Sequence, residues 1–212
     1  MLIADTLLAS LHADVNQADK DGWTPMITAA DKGHSDTVKV LASLHADVNQ
    51  ANNKGSTPMF VAAYEGHSDT VKVLASLHAD VNQANNKGAT PMFIAAQNGH
   101  SDTVKVLASL HADVNQAEKH GATPMFIAAQ EGNSDTVKVL ASLHADVNQA
   151  ANNGATPIWV AAEYGHSDTV KVLASLHADV NQAKNNGDTP MYAAARNGHS
   201  DTVKVLASLH AD

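Results

Sequence analysis

The chain has 212 residues, with 13 Lys plus Arg against 22 Asp plus Glu, a formal charge of −9 and no cysteine. An acidic balance argues against nucleic acid and anionic membranes as partners, since both demand clustered positive charge, and the lack of cysteine excludes disulfides and thiol chemistry. No stretch is apolar for long enough to span a bilayer, and MLIADTLLASL at the N-terminus has no basic n-region and no cleavage site of a secretion signal, so a reducing cytoplasmic setting, or a recombinant host, is the expected one.

In chain order, residues 1–18 come first. Leu2, Ile3, Leu7, Leu8 and Leu11 predict a lone apolar helix, the second half of a repeat. Thr-Pro then recurs at Thr24, Thr57, Thr90, Thr123, Thr156 and Thr189 with a constant period of 33. A glycine stands two residues before each Thr and another nine residues after it, from Gly22 and Gly33 to Gly187 and Gly198. The unit at 85–117 shows the expected local structure. Thr90 is an N-cap and Pro91 suits the first helical position, which predicts a short helix over 91–98. Gly99 stops it in the left-handed conformation. Ser101 or Asp102 caps a second helix over 102–110, with Val104, Leu107 and Leu110 on one face. The stretch HADVNQANNKGA at 78–89, which leads into this unit, is polar and turn-rich, and its Asn and Gly predict a β-turn finger. Asp36 and its copies are expected to cap second helices, and Asp47 and its copies to hold the fingers.

One such unit cannot bury its apolar face alone, so stacked neighbours must share a core. The small alanines after each Thr-Pro allow close packing. The chain resembles ankyrin repeats along its whole length. The resemblance rests on Thr-Pro-Met-Phe-Ile-Ala-Ala at 90–96, Gly-His at 99–100 and Ala-Asp-Val-Asn at 112–115. It implies an all-α solenoid of stacked helix-turn-helix units with β-turn fingers. The domain is single: a half repeat at 1–18, full repeats at 19–51, 52–84, 85–117, 118–150 and 151–183, and a last repeat at 184–212.

Two departures from the family are systematic. Ankyrin repeats usually carry a His after Thr-Pro-Leu that bonds the Thr and a neighbouring finger. Here Ile27, Phe60, Phe93, Phe126, Trp159 and Tyr192 stand there, which predicts an apolar, partly aromatic ladder without that polar link. The family's glycine before Ala-Asp-Val-Asn is replaced by His12, His45, His78, His111, His144, His177 and His210. If those residues keep the left-handed backbone, each carries strain of roughly 1 kcal/mol.

The second-helix block is invariant between repeats, while the finger and the end of the first helix vary. In ankyrin-like proteins those parts form one concave binding surface. The resemblance therefore implies a protein partner met by Lys20, Asp21, Trp23, Asp31, Lys32, Lys54, Tyr64, Glu65, Lys87, Gln97, Asn98, His120, Gln130, Glu131, Glu163, Tyr164, Asp188, Arg196 and Asn197. Trp23, Tyr64, Tyr164 and Arg196 are hot-spot types, whereas Phe93 and Trp159 read as core. A second reading is an engineered or consensus-like scaffold with no native partner, which the near-identical repeats favour. A third is a histidine-based metal or pH sensor. Against a metal, stacked equivalents about 8–10 Å apart cannot share a zinc whose Zn–N bonds run near 2.0–2.1 Å, and neither metal nor cofactor is expected. The glycines form no phosphate loop and no nucleophile motif is present. Perfect repetition argues against an active site, where unlike groups converge once, so no enzyme is expected. Apolar residues also open and close the chain, through Leu2 to Leu11 and through Val203, Leu206 and Leu209. Solenoids normally cap such ends, so end-to-end self-association is a further expectation.

Overall fold

The computed structural model describes residues 14–211. The expected N-terminal half-repeat helix and His12 lie outside the described residues. Twelve helices follow in order among the described residues: α1 Pro25–Asp31, α2 Ser35–Ser43, α3 Pro58–Tyr64, α4 Ser68–Ser76, α5 Pro91–Gln97, α6 Ser101–Ser109, α7 Pro124–Gln130, α8 Ser134–Ser142, α9 Pro157–Glu163, α10 Ser167–Ser175, α11 Pro190–Arg196 and α12 Ser200–Ser208. The odd-numbered first helices pack on one another as one layer, the even-numbered second helices form the other, and each first helix packs on its own second helix.

Each first helix starts as its sequence predicts. The Thr hydroxyl accepts the N–H three residues on, at 3.1 Å for Thr57 and Thr123 and 3.3 Å for Thr156. Proline follows at the first helical position, where its missing N–H costs nothing. Thr123 is fully buried. Its replacement by Ala removes the cap and leaves an N–H unsatisfied, and is expected to cost about 1–2 kcal/mol in chemical denaturation. A loss within error would show that the cap does not hold this helix.

The interior runs the length of the stack. Met26, Met59, Met92, Met125 and Ile158 are fully buried under the paired alanines Ala29–Ala30, Ala62–Ala63, Ala95–Ala96, Ala128–Ala129 and Ala161–Ala162. The predicted apolar ladder is present: Ile27, Phe60, Phe93, Phe126 and Trp159 are buried, and Tyr192 at its end is 53 % exposed.

The second helices begin one residue earlier than expected, and their caps differ. The N-cap residue is His34, His67, His100, Asn133, His166 or His199, and none makes a side-chain cap bond. The cause is the Schellman closure of the first helix. In repeat two, Gly66 at φ +77° donates to Ala63 O and His67 donates to Ala62 O, which turns the chain at once into the next helix. The Asp thereby falls inside the first turn and does not cap. It pairs instead with the Lys three residues on, as in Asp69–Lys72 at 2.9 Å. The hydrogen bond and charge of that lysine hold the carboxyls of Asp36, Asp69, Asp102 and Asp168 below the ordinary carboxylate range. The small stabilisation this gives is present above that range and lost as pH falls through the lowered pKa.

Freed from capping, the serines link neighbouring repeats. Ser35, Ser68, Ser101 and Ser134 bond Thr70, Thr103, Thr136 and Thr169 at 2.8–2.9 Å, hydroxyl to hydroxyl. At the last repeat the buried Thr202 hydroxyl has no partner among the described residues.

The second helices end in Schellman motifs too, but with histidine in the glycine position. His45, His78, His111, His144, His177 and His210 sit at φ 59–66°. His78 donates its N–H to Ala75 O and Ala79 donates to Leu74 O, and the other repeats copy this.

Candidate functional site

The fingers are built from self-bonded turns. In the second repeat Asn52 Oδ1 accepts the N–H groups of Lys54 and Ser56, and Gly55 N donates to Asn52 O at 2.8 Å. Asp19, Asn85 and Glu118 play the same role in their fingers. Where Ala151 and Lys184 stand in that place, the acceptor moves to Asn153 and Asn186. Asp47 and its copies hold the approach to each finger as expected, with Asp47 Oδ1 accepting from Asn49 N.

Successive fingers are then bonded to one another. Asn53, Asn86, Lys119, Asn152 and Asn185 each donate a backbone N–H to the finger before, at 2.9–3.3 Å. The amides of Asn53, Asn86, Asn152 and Asn185 add a second bond to the preceding finger, as in Asn53 Nδ2 to Lys20 O at 3.0 Å. A third link joins Asp80 N to Asn49 Oδ1. The inter-finger bonding that the family draws from its histidine is supplied here by asparagine and backbone. Gly121 is required at its finger on two counts: φ is +83°, and a Cβ there would lie 2.4 Å from Asn152 Oδ1.

The ends of the first helices are tied by the Gly-His pairs. His67, His100, His166 and His199 each donate Nε2–H to a carbonyl of the preceding first helix: Asp31, Tyr64, Gln130 and Glu163, at 2.8–3.0 Å. The carbonyl can only accept, which fixes the tautomer. Asn133 makes the equivalent bond to Gln97 O at 2.8 Å. These histidines are structural staples, and among the described residues no group of three or more His, Asp or Glu is placed to hold a metal. No described helix is long and apolar enough to cross a membrane.

Fingers and first helices together line an open groove of about 1230 Å³. Of the residues expected to meet a partner, Trp23, Asp31, Lys54, Tyr64, Glu65, Lys87, Gln97, His120, Gln130, Glu163 and Tyr164 line it. Lys20, Asp21, Lys32, Asn98, Glu131, Asp188, Arg196 and Asn197 do not. Several of these are occupied elsewhere. Asn98 donates to Tyr64 O and Asn197 to Glu163 O, the carbonyls already bonded by His100 and His199. Arg196 pairs with Glu163 at 3.1 Å and Asp188 at 3.3 Å. Lys32 pairs with Asp31 at 2.7 Å, and that contact, with a further contribution from Glu65, raises the pKa of its ammonium. The floor of the groove is apolar, made by the slightly exposed edges of Phe60, Val61, Phe93, Ile94, Phe126 and Ile127. Trp159 lines it as well, its Nε1–H bonded to Asp188 O and its ring 4.3 Å below Lys184 Nζ.

Sequence reasoning missed these floor residues as lining, because burial and exposure along one edge are not separable from periodicity. It also gave the finger asparagines no bonding role. The recurrence of Asp, Asn or Glu at positions 19, 52, 85 and 118 was the available signal, since such side chains bond their own backbone two residues on.

Among the described residues, twelve short helices stand in two layers, joined by bonded fingers at a constant period. The family described as ankyrin repeats (3 copies) matches residues 2–85, 77–151 and 142–212. The chain belongs to the ankyrin-repeat family. Ankyrin repeats are in general protein–protein interaction modules and typically non-enzymatic. A comparison with curated proteins gives no match. In this ankyrin chain the invariant second helices form the layer away from the groove, and the variation between repeats falls on the groove's fingers and first helices.

Proposed function

We propose that the chain is a non-enzymatic binding module that takes a protein partner in the groove between its fingers and first helices. One observation carries this reading. The groove joins an apolar floor to exposed, unlike side chains such as Lys54, Tyr64, Lys87, His120 and Tyr164. Apolar surface with a polar rim is the anatomy of a recognition site. The second reading, a scaffold whose frame is its purpose, draws on the share of finger variation absorbed by turn and ladder bonds.

Selection of peptides from a random display library separates the two. Binders are expected whose hydrogen-exchange protection falls on α3, α5, α7 and the fingers between them. Binders that protect only the second helices, or a selection that enriches nothing, would sink the groove reading and leave the scaffold.

A further inference from the structure

The distribution of unpaired charge in the groove carries an inference about the partner, and it rests on the groove reading above. The chain holds 13 Lys and Arg. Those on or beside the helices are all spent: Lys32, Lys39, Lys72, Lys105, Lys138, Lys171, Lys204 and Arg196 each pair with a carboxylate. The other five stand on fingers. Lys20, Lys54, Lys87 and Lys119 are exposed and make no ion pair among the described residues, and Lys184 lies over the Trp159 ring.

The acids of the groove stand mostly at the ends of the first helices. Asp31 is met by Lys32 and Glu163 by Arg196, while Glu65 makes no ion pair among the described residues. Glu118, on a finger, accepts two backbone N–H groups of its own turn through Oε1 and keeps its charge. At the tips of the three middle fingers, residues 52–56, 85–89 and 118–122, Lys54, Lys87 and Lys119 stand against the single carboxylate of Glu118, so the local balance is positive although the molecule as a whole is at −9.

The spacing narrows the partner further. Equivalent residues of stacked repeats lie about 8–10 Å apart. Three residues of extended chain span about 10 Å. We propose that the groove takes an extended acidic peptide segment, whose carboxylates at about every third residue meet Lys54, Lys87 and His120 in turn while apolar side chains between them rest on Phe60, Phe93 and Phe126. Nucleic acid fits less well. The fingers offer scattered single lysines and no arginine, so few counterions would be released on binding phosphates.

The test uses the full chain and a labelled peptide of about 15 residues with Glu at every third place and Leu or Tyr between, an extended design matched to the strand rise. A second peptide carries Gln for Glu. Fluorescence anisotropy at about 50 mM salt should show the Glu peptide binding roughly tenfold more tightly, with the advantage shrinking at about 0.5 M salt. The double variant Lys54→Glu with Lys87→Glu should abolish that advantage, so that the Glu peptide binds no more tightly than the Gln peptide. Neither lysine has a partner to lose, and an unchanged melting curve confirms the fold. The control pair Lys72→Ala with Lys105→Ala, on second helices, should change nothing. Equal binding of the Glu and Gln peptides in the groove would overturn the acidic preference and leave the groove reading standing. Binding of neither overturns the acidic segment as the partner, and the library selection then decides the groove separately. A single-stranded oligonucleotide that outcompetes the Glu peptide would overturn the assignment in favour of nucleic acid.

Discussion

Replacing His45, His78, His111, His144, His177 and His210 together by Gly is expected to stabilise the solenoid by about 3–6 kcal/mol and to raise its melting temperature by of order 10 °C. All six hold φ between 59° and 66°. An L side chain in that region sets its Cβ against the following carbonyl oxygen, at a cost of roughly 1–2 kcal/mol. Glycine removes the strain but frees the unfolded chain, which returns about 0.4–1 kcal/mol per site. The difference is a gain at each position, and sites in separate repeats add when they share no partner. The rings themselves are exposed, and no hydrogen bond of theirs is lost. A parallel set of His→Ala variants keeps the Cβ and should show no comparable gain. If both sets melt where the parent does, the left-handed backbone at these histidines carries no strain, and the expectation fails.

Much of this architecture was legible because the period of 33 repeats without insertion and each signal has a local cause. Thr-Pro marks a helix start through a cap and a preset φ. Gly99 marks its stop through the left-handed backbone. The strained histidines were legible for the same reason, since the family's glycine fixes the geometry that His78 must then adopt. What sequence did not show depends on neighbours in space. Ser68 looked like a cap but reaches Thr103 in the next repeat. Asp69 looked like a cap but pairs with Lys72, because the helix opens one residue earlier. Asn152 and Asn185 stand among the variable finger residues, and their amides stitch one finger to the one before it. In each case the side chain had two chemically reasonable partners, and only the stacking geometry chose between them. Arg196 shows the same limit at the candidate site: its type marks a hot spot, while its guanidinium is held by Glu163 and Asp188.

The staples between first helices lead to the second large effect, a coupling between Gly132 and His166. Gly132 sits at φ +74°, and a Cβ on it would lie 2.7 Å from His166 Nδ1 and 2.9 Å from Cγ and Cε1. The ring has packed onto the bare glycine to bring Nε2–H within 2.8 Å of Gln130 O. Gly132→Ala therefore adds two costs: backbone strain of about 1–2 kcal/mol, and displacement of the ring with loss of an inter-repeat hydrogen bond, about 1 kcal/mol or more. The sum is expected near 2–4 kcal/mol. In a His166→Ala background the ring is gone and only the strain remains, so the double-mutant cycle should return a coupling of about 1–2 kcal/mol. Gly198 supplies a control. It holds φ +76°, and a Cβ added there would meet no atom within 4 Å, so Gly198→Ala should show strain alone. His166→Asn is expected to retain most of the staple, because Asn133 already makes the equivalent bond one repeat earlier. The site matters as well as the size. Solenoid stability is a sum over repeats and their interfaces, so weakening this central interface should split unfolding into two transitions, with the repeats on either side melting apart. Additive costs and a single unchanged transition would mean that the histidine merely fills space over the glycine and does not join the repeats.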